Sequence, residues 1–153
     1  MEDAPPEERT LIAGLMQRYL DERSSFTGQK AQGNGRYRYP TLDTYWNEAN
    51  KHAFLIRLDR RVIGFALVRE VAGGTVMAEF SVSGDYRRSG HGRRSAHEIF
   101  KQFPGKWAVQ EPLTDSVAQS FWRNVIKDVD PKYSERIETG ADGNSRTVQR
   151  FHV

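Results

Sequence analysis

The chain has 153 residues, no cysteine, 37% hydrophobic residues and a formal net charge of +3. This length suits one domain over residues 1–153 with a single core, and the lack of cysteine excludes disulfides, thiolate metal sites and cysteine nucleophiles. No apolar run approaches the roughly 18 residues of a membrane span, and no basic-then-apolar leader begins the chain, so we expect a cytoplasmic protein without a membrane partner.

Basic and acidic residues nearly balance, with 23 lysines and arginines against 20 aspartates and glutamates. A nucleic-acid-binding domain would need a local basic stripe. The only dense basic cluster, from Arg87 to Arg94, is short and has only Tyr86 beside it for base stacking. Such a small focus of charge suits a polyanionic small molecule better than a duplex, so we expect no nucleic-acid partner.

The first third of the chain predicts two helices joined by a polar link. Paired prolines suit a helix entrance, and apolar residues then recur at helical spacing, which predicts a helix over residues 6–21. Residues 28–35 form a flexible link, and Thr41 can cap a second helix. The apolar face of that second helix would consist of Leu42, Tyr45, Trp46 and Ala49.

Three apolar runs follow, over residues 53–58, 62–68 and 75–83. Short turns join them, which predicts an antiparallel meander of three strands. The second run is almost continuously apolar, as expected for a strand buried on both faces. On the third strand, alternation places two sets of side chains on opposite faces: Ala78, Phe80 and Val82 on one, and Glu79, Ser81 and Ser83 on the other.

The third strand leads into a basic turn, Arg87-Arg88-Ser89-Gly90-His91-Gly92-Arg93, which opens a helix. Backbone N–H groups at a helix N-terminus lack intrahelical partners and lie at the positive end of the helix dipole, a geometry that binds phosphate. Gly90 and Gly92 would let a diphosphate approach the backbone, and the arginines would pair with its oxygens. The alternative is an ordinary strand–turn–helix with a solvated basic turn.

The rest of the chain predicts a helix, a strand parallel to the previous one, a further helix and a terminal hairpin. The hairpin edge is a place where two copies of the chain could pair as a homodimer. His91 and His97 have no partner at metal-ligand spacing, so we expect no metal. The predicted elements are a helix from Gly92 to Phe103, a strand over 107–109, a helix capped by Thr114 or Asp115, and strands over 133–138 and 145–153.

The run Arg87-x-x-Gly90-x-Gly92 after an apolar strand resembles the acyl-CoA pyrophosphate loop of the GNAT N-acetyltransferase superfamily. The order of the predicted elements is also similar to that family's over nearly the whole chain. The resemblance implies an α+β fold, with a mixed, mostly antiparallel sheet of about six strands flanked by about four helices. Only a few polar residues precede the first helix, so the family's first edge strand should be missing.

The resemblance implies transfer of an acetyl group from acetyl-CoA to a primary amine by direct attack, without a metal. It places Phe80, Ser81 and Val82 along the pantetheine arm, with the Val82 N–H near the thioester oxygen as an oxyanion donor. The diphosphate would lie on the basic turn. The residues implied there are Arg87, Arg88, Ser89, Gly90, His91, Gly92 and Arg93.

Glu79 is a strand glutamate in an apolar context, which is uncommon. One interpretation is a solvent-facing or arginine-paired side chain. The other is a general base that takes a proton from an acceptor ammonium, directly or through water, with a pKa raised by partial burial. The resemblance favours a base, because the family often has a carboxylate nearby, although at no fixed position.

The pattern Asp115-x-x-Ala118-x-x-Phe121-Trp122 resembles a second family signature, with two departures. Asp115 stands where the family often has the Asn that binds the pantetheine arm. Trp122 replaces the Tyr that protonates the leaving thiolate, and tryptophan cannot release a proton at neutral pH. Water, Ser116 or Tyr133 would serve instead, or the thiolate leaves unprotonated. These departures also support an alternative function, a non-catalytic acyl-CoA-binding regulatory module.

The resemblance also implies an acceptor pocket bordered by the loop between the first two helices. Tyr37 and Tyr39 lie in that loop and are candidates for its wall, together with Trp46. The alternative for these rings is packing of a short helix onto the sheet, and it is the stronger one for Trp46. The acceptor itself stays open between a small amine, an aminoglycoside, an amino acid and a peptide or protein terminus.

Overall fold

A six-stranded sheet with helices on both faces forms the protein in this computed structural model, which describes residues 3–153. Residues 1 and 2 of the predicted domain lie outside the described residues. The helices and strands are α1 (Arg9–Thr27), α2 (Thr44–Asn47), β1 (Lys51–Leu58), β2 (Arg61–Val71), β3 (Gly74–Val82), α3 (His91–Gln102), β4 (Lys106–Pro112), α4 (Ser116–Val129), β5 (Ser134–Thr139) and β6 (Ser145–His152).

The strand order across the sheet is β1-β2-β3-β4-β6-β5. All neighbouring pairs are antiparallel except β3 and β4, which are parallel and are connected through α3. This arrangement confirms the predicted fold, a mixed and mostly antiparallel sheet with about four helices. The strand positions agree with the predicted ones to within a few residues at each end.

Apolar side chains pack on both faces of the sheet. On one face Phe100 of α3 and Trp107 of β4 belong to a cluster with α4. On the other, Ile12 and Met16 of α1 pack with Phe65 of β2. Each of these large side chains is at most 2% exposed, and full burial of one such side chain contributes roughly 1.5–3 kcal/mol. Burial on both faces explains the continuous apolar run of β2.

The edge of the sheet before β1 carries only one bridge in the described chain, between Asp3 and Phe54. The Ala4 N–H donates to the Ala53 carbonyl at 2.7 Å beside it. Within residues 3–153 this edge therefore carries an isolated bridge and no full strand. No helix within residues 3–153 combines the length and the apolar character needed to cross a bilayer.

The two N-terminal helices differ from the predicted ones. α1 continues six residues past the predicted end and stops at Gly28, whose φ of 76° and N–H bond to the Ser24 carbonyl make a left-handed cap. The predicted end at residue 21 is therefore wrong, because the polar last turns of α1 hide its helical phase. α2 is a single turn preceded by Asp43, so Thr41 is not its cap and Ala49 lies outside it.

A β-bulge at Ala78 interrupts the alternation of β3. Leu67 of β2 pairs with Glu79 while its neighbour Val68 pairs with Met77, which leaves Ala78 as the extra residue. Ala78 packs on the α1 side and Phe80 on the α3–α4 side. The prediction that they share a face is therefore wrong, because the extra residue shifts the phase of alternation.

Candidate functional site

β3 and β4 separate at one end and leave a wedge between them. Their parallel pairing ends at Met77 and Val109, although both strands continue further. β3 stays paired to β2 along that stretch, for instance Ser81 with Phe65. The bulge at Ala78 follows the last pair directly. Backbone groups of β3 that point away from β2 therefore face the wedge, where a ligand could pair with them.

Val82 presents its backbone to this wedge. The N–H of Ser83 donates to the Ile63 carbonyl of β2 at 2.7 Å, and successive residues of a strand point their N–H groups to opposite sides. The Val82 N–H therefore points away from β2. Its carbonyl, on the same side, accepts a bond of 2.7 Å from Nε of Arg87.

The loop after β3 ends at α3, and Gly90 is the residue before that helix. Gly90 has a φ of 85°, which favours glycine, and Arg88 has the uncommon φ of 63°. None of the N–H groups of residues 88–93 donates to another residue of the described chain. They lie together at the positive end of the α3 dipole. This geometry fits a diphosphate.

Gly92 lies against the protein interior, a contact that the sequence did not indicate. A Cβ built there would lie 3.3 Å from Cζ of Phe121 and 3.6 Å from Cγ2 of Val82. Both contacts belong to the protein interior, so the missing side chain lets α3 approach α4 and β3. A Cβ at Gly92 would therefore disturb this packing, and the contact of Gly92 with a diphosphate stays a prediction.

Two of the loop arginines are engaged within the chain. Nη2 of Arg87 lies 2.6 Å from a Glu22 carboxylate oxygen of α1, and Nη2 of Arg93 lies 2.5 Å from Asp128 of α4. Both pairs are substantially exposed, and such pairs contribute about 0–1 kcal/mol each. They tie the loop to its neighbours, whereas Arg88 is exposed and accessible to an anion.

Tyr86 organises the rest of the loop. Its carbonyl accepts a bond of 2.7 Å from the Ser89 hydroxyl, and its ring lies edge-on to His91, with centroids 6.4 Å apart. Its own hydroxyl accepts a bond of 2.7 Å from Arg61. These contacts hold Ser89 and His91, the first residue of α3, against Tyr86.

Glu79 lies on the α1 side of β3, where its side chain is 15% exposed. Its Oε2 is 3.1 Å from Nη1 of Arg23, and its Oε1 accepts from the Tyr39 hydroxyl at 3.4 Å. Burial raises the pKa of the Glu79 carboxyl, and Arg23 opposes that rise. The glutamate is therefore paired with an arginine, as one interpretation of the sequence proposed. Its pKa is also raised, which is the direction that the general-base interpretation requires.

Asp115 caps α4. Its side chain accepts a bond of 3.1 Å from the Ala118 N–H, so of the two predicted caps it is Asp115 and not Thr114. Asp115 is 9% exposed. The capping bond is made by Oδ1 of Asp115, and Oδ2 takes no part in it.

Trp122 is buried in an aromatic cluster. It is 6% exposed, and its ring lies 5.1 Å from that of Phe80 and 4.9 Å from that of Phe121. Tyr133 lies beyond the far end of α4, a helix of 14 residues that spans about 21 Å. Ser116, the first residue of α4, is exposed near the wedge end of β4.

The family model of the GNAT acetyltransferase family matches residues 15–123. The chain belongs to this family. The matched segment contains the wedge, the loop and Glu79. This acetyltransferase has no significant match among curated proteins.

Solved structures of low identity share the fold of this acetyltransferase. An acetyltransferase from Thermus thermophilus has a TM-score of 0.69 and 13% identity, with 99% of this chain and 94% of that chain covered. The ribosomal-protein-S18-alanine N-acetyltransferase of Escherichia coli has a TM-score of 0.65 and 12% identity, with 99% and 92% covered. An aminoglycoside 6'-N-acetyltransferase complexed with coenzyme A has a TM-score of 0.66 and 10% identity, with 99% and 95% covered.

The loop before α2 borders a cleft of about 310 Å³ against α1, with Tyr37 and Tyr39 in its wall. Gln17 of α1 fixes Tyr37 by accepting from its N–H at 2.7 Å and donating to its carbonyl at 2.9 Å. Trp46 donates to the Ala4 carbonyl at 3.1 Å. Tyr39 is thus the predicted wall residue that contacts Glu79, while Trp46 packs against the N-terminal segment.

Sequence reasoning missed two residues of the site, Tyr19 and Arg23. Both lie on α1 one helical turn apart, and Nη1 of Arg23 contacts the Tyr19 hydroxyl as well as Glu79. The available signal was the i, i+4 spacing of an aromatic and a basic residue. This spacing did not indicate a site, because the helix was predicted to end before Arg23.

In residues 3–153 no group of three or more side chains is arranged to hold a metal ion.

Glu111 is a second buried carboxyl, at the end of β4. It is 3% exposed, and its Oε1 accepts a bond of 2.9 Å from Gln149. Its Oε2 is buried and has no hydrogen-bond partner within residues 3–153. Burial raises the pKa of the Glu111 carboxyl to about 7.

This carboxyl predicts a pH dependence of folding stability. An unfolded glutamate loses its proton near pH 4.5, whereas folded Glu111 keeps it to about pH 7. The free energy of unfolding should therefore fall as the pH rises across this window, by at most about 3 kcal/mol. Urea unfolding at pH 5.5 and pH 8 measures the change. Glu111→Gln should remove it and Glu7→Gln, at an exposed site, should not; equal pH dependence in all three proteins would contradict the assignment.

Proposed function

We propose that this GNAT protein, acting as one domain over residues 1–153, transfers an acetyl group from acetyl-CoA to a primary amine by direct attack in a ternary complex. The observation that carries the proposal is the adjacency of two features. The Val82 N–H faces an open wedge, and a few residues further on the loop N–H groups of 88–93 stand unpaired at the start of α3. A thioester on a pantetheine arm and a diphosphate need these two features in this order.

In the proposed complex the diphosphate binds the loop and the pantetheine arm pairs with β3 along Phe80, Ser81 and Val82. Glu79, directly or through water, accepts one proton from the acceptor ammonium. The amine nitrogen then forms a bond to the thioester carbon, and the oxyanion takes a hydrogen bond from the Val82 N–H. A donor of this kind is worth about 2.7–4 kcal/mol in the transition state.

The intermediate collapses when the carbonyl re-forms and the carbon–sulfur bond breaks. The nitrogen passes its second proton to water, and Glu79 returns the first to solvent. Buried Trp122 cannot supply a proton to sulfur, and Tyr133 lies beyond the far end of α4. The thiolate therefore leaves as such, which a thiol pKa of about 8.5 tolerates, or takes a proton from water or from Ser116. Fixed placement of the two substrates would supply roughly 7–11 kcal/mol of the rate enhancement.

The second candidate is an acyl-CoA-binding module without turnover, which the burial of Trp122 at the place of the family's tyrosine favours. Thiol release from acetyl-CoA with a panel of amines separates the two. The panel should contain a small diamine, an aminoglycoside, free amino acids and a peptide with an alanine N-terminus. Amine-dependent release supports transfer, whereas tight binding of acetyl-CoA with no release above the amine-free rate supports the module.

The proposal specifies the acceptor only as a primary amine, carried by a small molecule or by a peptide. Solved relatives of the fold include an aminoglycoside N-acetyltransferase and a ribosomal-protein-alanine N-acetyltransferase, so a small-molecule or a peptide amine fits the fold equally. Two further parts of the proposal come from the sequence: a cytoplasmic location, and pairing of two copies at the edge of β5.

A further inference from the structure

Arg23 reaches from α1 across to β3. Its Nη1 contacts both Oε2 of Glu79, at 3.1 Å, and the hydroxyl of Tyr19. Its guanidinium also lies over the Tyr19 ring, 4.9 Å from the centroid. The Arg23 side chain is 24% exposed and that of Glu79 is 15% exposed. Removing one partner of such a poorly hydrated pair leaves the other charge uncompensated.

The contacts leave Glu79 able to act on an amine. Arg23 uses Oε2 and the Tyr39 hydroxyl uses Oε1. The Tyr19 hydroxyl hydrogen-bonds the same carboxylate. A carboxylate offers about four lone-pair sites, so about one remains for an acceptor or a bridging water. Arg23 therefore pairs with the carboxylate without preventing it from binding an acceptor or a water.

The groups around the pair come from four elements. Tyr19 and Arg23 belong to α1, Tyr39 to the loop before α2, and Tyr45 to α2, where burial and, to a smaller extent, Glu79 raise its pKa. Burial lowers the pKa of Arg23, whereas Tyr19, Glu79 and, to the smallest extent, Asp115 at the cap of α4 raise it, so that it is raised overall. The hydroxyls in this set are uncharged at neutral pH, because burial raises the pKa of Tyr19 and Tyr39. Arg23 is thus the cation that offsets the burial of Glu79.

We propose that Arg23 is a positioning residue for acetyl transfer, which holds the Glu79 carboxylate ionised and fixed beside the wedge. Arg23 does not touch the reacting atoms. Burial favours the neutral acid, and an opposite charge within about 4–6 Å favours the carboxylate. Without Arg23 the carboxyl would bind a proton at pH values where the reaction needs a base. The inference rests on the proposed function, since it assigns Glu79 as that base.

The test is the ionisation of Glu79 itself, which needs no acceptor. The carboxyl of ¹³C-labelled Glu79 is followed by NMR against pH, and Glu79→Gln identifies its signal. Arg23→Gln should raise the titration midpoint by about one to three pH units, a tenfold or greater gain in proton affinity. Arg23→Lys should restore most of the wild-type midpoint. Arg18→Gln removes the same charge from an exposed position of α1 and should leave the midpoint unchanged.

An unchanged midpoint in Arg23→Gln would overturn the proposal. Where that variant does not fold, Arg23→Met keeps an unbranched side chain over the Tyr19 ring without the charge, and the same shift is required of it. Calorimetry with coenzyme A on the same proteins separates this inference from the proposed function. If the wild-type protein does not bind coenzyme A, the proposed function is wrong. If it binds normally and the Glu79 midpoint in Arg23→Gln is unchanged, only the role of Arg23 is wrong.

Discussion

Replacing Glu79 with glutamine should lower kcat/KM for acetyl transfer by about 10²–10⁴-fold, the range typical for loss of a general base. Glutamine has nearly the same shape and can still accept hydrogen bonds, but it cannot accept the proton of an ammonium. The coenzyme sites on the loop and along β3 stay in place. The Kd for acetyl-CoA should therefore stay within about twofold of the wild-type value, which would assign the loss to the chemical step.

The pH profile gives the same prediction a second readout. A base works only when deprotonated, so activity should fall as the pH drops through the Glu79 pKa. Because burial raises that pKa, the fall should begin at a higher pH than for an exposed glutamate. The acidic limb should vanish in Glu79→Gln and persist in Glu79→Asp. A limb that is unchanged in Glu79→Gln would show that another base operates.

Folding must be checked in these variants, because Glu79→Gln leaves Arg23 without its carboxylate. Breaking a buried pair costs about 3–5 kcal/mol, and partial exposure of Arg23 reduces this cost. Thermal unfolding before each assay measures the loss. Glu70→Gln, beside the β2–β3 turn where Glu70 pairs with Thr75, is the matched control and should keep wild-type activity.

Replacing Gly90 with valine should raise the Kd for coenzyme A at least tenfold, which corresponds to about 1.4 kcal/mol. Gly90 has a φ of 85°, and a left-handed backbone costs a residue with a Cβ roughly 1–2 kcal/mol. The loop would relieve this strain by rotating, and its N–H groups would no longer converge. Titration calorimetry with coenzyme A measures the effect.

Two variants separate loop geometry from general instability. Gly90→Asn should lose less affinity, because asparagine tolerates the left-handed region better than valine. Gly143→Val imposes the same strain at a φ of 80° in the β5–β6 turn, and it should lower the melting temperature without changing the Kd. Equal affinity of Gly90→Val and the wild type would remove the loop from the coenzyme site.

The order of the elements and the basic loop were predictable from the sequence, because local signals dominate there. The apolar stripe of α3 recurs at helical spacing, and its residues Ala96, Ile99 and Phe100 are buried. The continuous apolar run of β2 reports its burial on both faces. Gly90 stands between the apolar run of β3 and the apolar stripe of α3, which predicts that it lies in the turn that opens the helix.

The interior of the site was not predictable, because it depends on contacts that are distant in sequence. The bulge at Ala78 depends on how β3 pairs with β2, and alternation alone puts that side chain on the wrong face. Arg23 contacts Glu79 although the two are 56 positions apart in the sequence. Arg23 lies in the last turns of α1, which are too polar to show helical periodicity. The packing of Gly92 against Phe121 is also absent from the sequence signal, because the two residues are distant in the chain.

Titration calorimetry of the folded wild-type protein with coenzyme A and with acetyl-CoA tests the central claim most directly. The loop N–H groups and the wedge beside Val82 predict saturable binding of both compounds with one site per chain. Binding should weaken in Gly90→Val and persist in Glu79→Gln. The absence of heat or saturation with either compound, in a protein whose thermal unfolding is cooperative, would contradict the account.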